Sequence, residues 1–140
     1  MRIDGLAVKV AIGTHDKKNM HDDHVGDSRY FAIYELEKGS WSFLEYRENN
    51  SPEERTHGDP RKAEAIMKII EGCDVLVGRA MGPNFVKIRD ESPYLPVIVR
   101  GKHRSIEDAL KAINENYEAI KEALKRKRAG EKGGKPLIIE

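Results

Sequence analysis

Apolar and polar residues alternate along this chain with two different periods, and the switches between them mark out its elements. Residues 6–12 (Leu-Ala-Val-Lys-Val-Ala-Ile) read as a strand ending at Gly13. Residues 29–37 and 40–48 read as two more, joined at Lys38-Gly39, a hairpin signal. In the first of these, Tyr30, Ala32, Tyr34 and Leu36 occupy one alternating set, Phe31 and Ile33 the other. A strand apolar on both faces belongs inside a covered sheet.

Asp59-Pro60 opens a helix with an Asp cap and proline at its first position. Ala63, Ile66, Met67 and Ile70 follow at helical spacing, and Gly72 closes it. Residues 73–78 form a short apolar strand, Gly82-Pro83 starts a short second helix, and residues 96–100 make the last core strand. Ser105, with Asp108 three later, caps one long helix whose stripe is Ile106, Ala109, Leu110, Ile113, Tyr117, Ile120 and Leu124. Residues 1–128 are thus one domain. Residues 129–140 form a flexible basic tail with a short apolar end, which could be an added edge strand, a partner contact or disordered.

A meander of three strands followed by helical crossovers predicts an α/β fold: a mixed five-stranded sheet, second strand antiparallel, with helices on both faces. Strands one, three, four and five then share one carboxyl rim, where open α/β sheets place ligands. All five histidines, His15, His21, His24, His57 and His103, leave from that rim. Three of them lie in a polar loop, residues 15–24, whose only apolar side chain is Met20. Imidazole is the commonest protein ligand for transition metals. Arg29, Arg79, Arg100, Lys102 and Arg104 share the rim, so the pairing suits an anionic metallocluster or a metal-bound oxyanion.

Charged residues reach 35% of the chain, yet net charge is only +1. Such balance argues against a general nucleic-acid binder, and a dense two-sign surface resembles thermophile compositions. The single cysteine, Cys73, excludes a disulfide framework and a four-cysteine iron–sulfur site. It lies on the opposite rim and reads as core. With no long apolar run or targeting motif, a cytoplasmic protein is expected. Tyr30, Phe31, Tyr34, Trp41 and Phe43 read as core rather than as a base-stacking surface.

Several stretches together resemble a known family. His24-Val-Gly-Asp-Ser-Arg-Tyr-Phe31 is similar to the family motif His-Phe-Gly-Arg-Ala-Pro-Tyr-Phe. Arg47-Glu-Asn49, His57-Gly58, Gly72-Cys-Asp-Val-Leu-Val77, Met81-Gly-Pro83 and Ser105-Ile-Glu-Asp-Ala-Leu110 follow at the family's intervals. The family is that of dinitrogenase iron–molybdenum cofactor biosynthesis, the NifX-like accessory domain also found at the end of NifB. The resemblance covers residues 6–113. Val25 stands where a Phe is usual, and Arg79-Ala80 where Gly-Gly is common.

The resemblance implies a ribonuclease H-like three-layer α/β/α fold. It also implies a non-catalytic carrier of an iron–molybdenum cofactor or its iron–sulfur precursor, served by cluster-delivery or acceptor proteins. The expected cofactor-binding residues are His24, Arg29, Arg79, Ala80, Met81, Gly82, Asn84 and Lys102. The expected metal ligands are His21, His24, His15, His57 and His103, each with a plainer alternative as a polar surface or cap residue. A homo-oligomer remains open. So do two other functions: a mononuclear zinc or similar site, and, less favoured, a metal-dependent nuclease. The latter needs clustered carboxylates, and the candidates, Asp16, Asp22, Asp23 and Asp27, all fall in the loop after strand one.

Overall fold

The structure, a computed structural model, describes residues 7–51, 60–82, 85–130 and 137–140. Strand β1 (Val8–Thr14) runs into the histidine loop and a single 3₁₀ turn, Val25–Asp27; β2 (Tyr30–Glu37) and β3 (Ser40–Glu48) form the hairpin. Then come α1 (Pro60–Ile69), β4 (Val75–Gly78), α2 (Phe85–Glu91), β5 (Leu95–Val99), α3 (Ile106–Glu115), α4 (Tyr117–Arg128) and β6 (Leu137–Ile139). The strand order is β3-β2-β1-β4-β5-β6, with β2 antiparallel to both neighbours and the other pairs parallel. Five strands therefore point their carboxyl ends at one rim.

Alternation along the strands divides the interior into two apolar layers. Val10, Ile12, Val75, Val77, Val97 and Val99 face α3 and α4, meeting Leu110, Ile113, Ile120 and Leu124. Ala11, Leu76, Phe31, Ile33 and Ile98 face the other way, toward Ile66 and Ile70 of α1 and Ile88 of α2. Both faces of the central strands are dry, as their uninterrupted apolar runs require.

Three expectations are corrected. The sheet has six strands, not five: Leu137, Ile138 and Ile139 pair with Val97, Ile98 and Val99, and Ile139 is buried in the α3–α4 layer. Three residues are too few for a strand's alternation to stand out from a linker. The long final helix is two helices broken at Asn116 (φ −105°, ψ 20°). The Asn116 side-chain amide donates to the Ala112 carbonyl at 2.8 Å while its main-chain N–H turns to Ile113 at 3.0 Å. An asparagine competing for its own helix ladder breaks the turn. Lastly, of the aromatic residues expected in the core Phe31 is fully enclosed and Tyr34 and Trp41 pack partly buried against the core, but Phe43 is 46% exposed, with no described helix over that end of the sheet.

Candidate functional site

The rim is shaped first by glycines. A Cβ on Gly13 would lie 2.2 Å from Ser28 Oγ and 2.7 Å from Val25 Cγ2, and one on Gly78 2.6 Å from Val25 Cβ. The bare ends of β1 and β4 thus form the trough that receives Val25. Once seated, Val25 donates its N–H to the Ala80 carbonyl at 2.8 Å, and His24 bridges Ala80 in parallel register. Segments more than fifty residues apart in sequence meet here, and the His24 ring lies against Gly82, whose φ is +78°. A Cβ at position 82 would sit 2.8 Å from His24 Cγ. His24 keeps 40% of its side chain in solvent, and its ring makes no hydrogen bond among the described residues.

Two polar side chains hold the turn from below, and sequence reasoning gave neither a role. The Asn49 amide donates to the carbonyls of Gly26 (2.8 Å) and Ser28 (2.6 Å). Lys62, 6% exposed at its side chain, pairs with Asp27 at 2.9 Å. A signal for Lys62 existed: it stands four residues before Ile66, on the apolar stripe of α1. Arg47 of the same motif as Asn49 donates to the Ile69 and Glu71 carbonyls at 3.0 and 2.8 Å, satisfying the end of α1.

The histidine loop is tied down rather than loose. Met20 is buried among Val10, Ile106 and their neighbours, a burial worth about 1.5–3 kcal/mol. Its N–H donates to Arg104 O at 2.8 Å, and His21 N–H to Gly13 O at 3.0 Å. Asp16 accepts from the N–H groups of Lys18 and Asn19 and from the Asn19 amide, which holds its carboxyl down at about 2. That carboxylate is a turn-former, not a free metal ligand.

The His15 and His21 rings meet at a 39° tilt with centroids 3.9 Å apart, in a cleft of about 570 Å³ lined also by Asp16, Asn19, Met20, Asp22 and Arg104. Burial first, and the neighbouring His15 second, push the His21 imidazole below its ordinary value. Neutral His21 keeps a lone pair for a metal. His15 is different: its Nδ1 accepts the Arg29 N–H at 3.1 Å. An accepting Nδ1 puts the ring proton on Nε2, so His15 faces the cleft as a donor and fits the strand-end cap reading.

Other expected residues divide in the same manner. The Arg79 guanidinium, 14% exposed, donates to Gly101 O (3.2 Å) and His103 O (3.4 Å), and its Nε lies 3.9 Å from Asp22. It braces the turn after β5 more than it offers itself to a ligand. Arg104 pairs with Asp22 at 3.1 Å. His103 Nε2 lies 3.1 Å from Glu140 O, just past the end of β6. Met81 is buried with Val25 and Ile66, so only its main chain belongs to the rim. Arg29 and Lys102 are exposed. His57 and Asn84 lie outside the described residues. Cys73 is buried, with its thiol pushed up by that burial, which makes it inert.

Among the described residues no group of three or more His, Cys, Asp or Glu is gathered closely enough to hold a metal ion. Nor is any described helix long and apolar enough to cross a membrane. What the rim offers is one partly exposed imidazole over a glycine, a second paired with His15 in the cleft, and exposed cations on the same loops. The class so defined is an α/β domain with helices on both faces of one sheet and a polar rim at the carboxyl ends of five of its strands.

A family model described as "Dinitrogenase iron-molybdenum cofactor" matches residues 7–116, and the chain belongs to that family. Protein NifX of Sinorhizobium fredii (strain NBRC 101917 / NGR234) is 27% identical over 109 residues, covering 74% of this chain. The match spans 66% of that relative's length, just under two-thirds.

Proposed function

We propose that this protein is a non-catalytic carrier that holds an anionic metal–sulfur cluster of iron–molybdenum cofactor biosynthesis at the rim, with His24 as its principal protein ligand. The observation that carries this reading is His24 itself: half in solvent, backed by Gly82, on a turn locked before any cargo arrives. His21 is the second candidate ligand. Arg29 and Lys102 supply positive charge, and the main chain of Ala80, Met81 and Gly82 lines the seat. A pre-assembled cluster of the iron–molybdenum type carries its own bridging sulfides, so in this reading one or two side chains would hold it. A lone zinc ion needs three or four from the protein, more than the described residues gather. The nuclease reading is weakened because Asp16 and Asp22 are engaged by main-chain N–H groups and arginines.

We further infer a ribonuclease H-like arrangement, a cytoplasmic setting, and delivery and acceptor proteins that hand the cluster on. Residues 1–128 act as the cofactor-binding domain in this reading. Anaerobic incubation with a pre-assembled iron–molybdenum or precursor iron–sulfur cluster, followed by visible absorption and metal analysis, tests it. Expected are iron uptake in the wild type and its loss in His24→Ala. Clean apo-protein without uptake would overturn it, and stoichiometric zinc without iron would favour the mononuclear alternative.

A further inference from the structure

The sheet has two unequal edges. β6 is three residues long, whereas β3 is nine and, among the described residues, borders no other strand on its outer side. Phe43, Leu44 and Tyr46 on β3 are 46%, 43% and 38% exposed. A long edge with a free row of main-chain donors and acceptors is a template for another strand.

We propose that β3 pairs antiparallel with β3 of a second copy of this chain, around a two-fold axis through Tyr46, to give a closed dimer with one continuous sheet. The choice of occupant rests on charge. Reading residues 44–48 against themselves about Tyr46 sets Glu45 opposite Arg47 of the second copy, and Arg47 opposite its Glu45. The two residues lie on the same face, so both pairs can close at once. Glu45 Oε2 already accepts from its own Arg47 at 3.2 and 3.3 Å, while Oε1 has no hydrogen bond among the described residues. Pairing would thus complete a ring of four alternating charges. A net charge of +1 per chain opposes association little.

The other face agrees. A register shift between Ile33 and Tyr34 puts a bulge at Leu44, so that Tyr46 opposes Ala32 and Phe43 opposes Tyr34 on one side of the sheet. Tyr34 meets Phe43 edge-on at 5.4 Å and Phe43 lies 4.7 Å from Tyr46. On the proposed axis Tyr46 meets its symmetry mate, and the aromatic row runs on into the second copy. From Glu45 to Arg47, beyond the bulge, each position is matched by the same strand reversed, as an isologous interface demands.

Light scattering and sedimentation across a concentration series test this with the full chain. The wild type should approach twice the 15.9 kDa chain mass as concentration rises. Outward amides of β3 should gain protection from hydrogen exchange over the same range. Glu45→Arg should weaken dimerisation on the order of tenfold or more, because two opposite-charge cross-strand pairs become like-charge pairs. Arg47→Glu should do likewise, and an equimolar mixture of the two variants should recover a mixed dimer. Arg47 also holds the end of α1, so Tyr46→Lys, which sets two ammoniums face to face on the axis, provides a variant free of that contact. A wild type that stays monomeric, a dimer indifferent to Glu45→Arg and Tyr46→Lys, or open-ended oligomers would each overturn the proposal.

Discussion

Gly13→Ala should be the most damaging single methyl on the rim. The added carbon would begin 2.2 Å from Ser28 Oγ and must reach ordinary contact at 3.4 Å or more, a displacement exceeding 1 Å. Ser28 Oγ, which has no hydrogen bond among the described residues, can rotate aside. Val25 Cγ2 at 2.7 Å and Ser28 Cβ at 3.1 Å have no room to retreat, since both residues are 1% exposed. The whole turn must lift, stretching the Val25–Ala80 hydrogen bond and the two Asn49 bonds beneath it. Overpacking of this kind costs about 1–3 kcal/mol, and the loss of aligned hydrogen bonds puts the variant at the upper end, about 2–3 kcal/mol. For a chain this size the unfolding entropy is roughly 0.3 kcal/mol per degree, so the melting temperature should fall by about 7–10 °C. Gly26→Ala in the same turn is the control: its Cβ would meet nothing nearer than 3.7 Å, so it should melt close to the wild type. Circular dichroism melts measure both. A Gly13→Ala protein melting within about 2 °C of wild type, or a Gly26→Ala protein equally damaged, would refute the close-packing account of the turn.

Asp27→Ala should cost about 1–3 kcal/mol in urea denaturation by stranding the buried Lys62 ammonium, whereas Asp27→Ala with Lys62→Met should recover most of that loss. The Asp16 carboxyl is held at about 2, below its unfolded value, so its stabilisation is present above that value. It should disappear as pH falls from about 4 through about 2. Amide shifts of Lys18 and Asn19 should follow this titration, and Asp16→Ala should melt without that acid limb. His21 is also pushed below its ordinary value, but as a base. Stability should be full where the unfolded imidazole is neutral and fall as pH drops below about 6.5. NMR titration should place His21 under the ordinary histidine range, and His15→Gln should raise it.

Much of the fold was written in periodicities that local sequence makes visible. The two-sided apolar pattern of residues 30–36 announced a covered sheet, and Ser105 with Asp108 announced the start of α3, where Ser105 Oγ accepts the Asp108 N–H at 3.0 Å. The direction of the strands then gathered the histidine loop and the 80–82 segment at one rim. The missing features depend on distant partners. Nothing near Leu137 reveals that Val97 lies beside it, and Asn49 is an ordinary polar residue until the carbonyls of Gly26 and Ser28 come within reach. The role of His15 depended on a main-chain donor fourteen residues away. Phe43 misled because exposure is decided by which edge the last helices cover, a tertiary choice that alternation does not encode.

The way the rim is held together also decides how its histidines can be tested. The turn bearing His24 is fixed by the Val25 N–H, by Asn49, by the Asp27–Lys62 pair and by apolar seating on Gly13 and Gly78. None of these uses the His24 imidazole, whose ion pair among the described residues is with the exposed Asp23 carboxylate at 3.6 Å. Exposed pairs of this sort contribute about 0–1 kcal/mol. His24→Ala should therefore melt within about 3 °C of the wild type, so that lost uptake reports a lost ligand and not a collapsed site. His15→Ala should behave oppositely, since it removes the acceptor of the Arg29 N–H: a small loss of stability, with cluster uptake largely kept. If His15→Ala abolished uptake while His24→Ala left it intact, the assignment of ligand and cap would have to be exchanged.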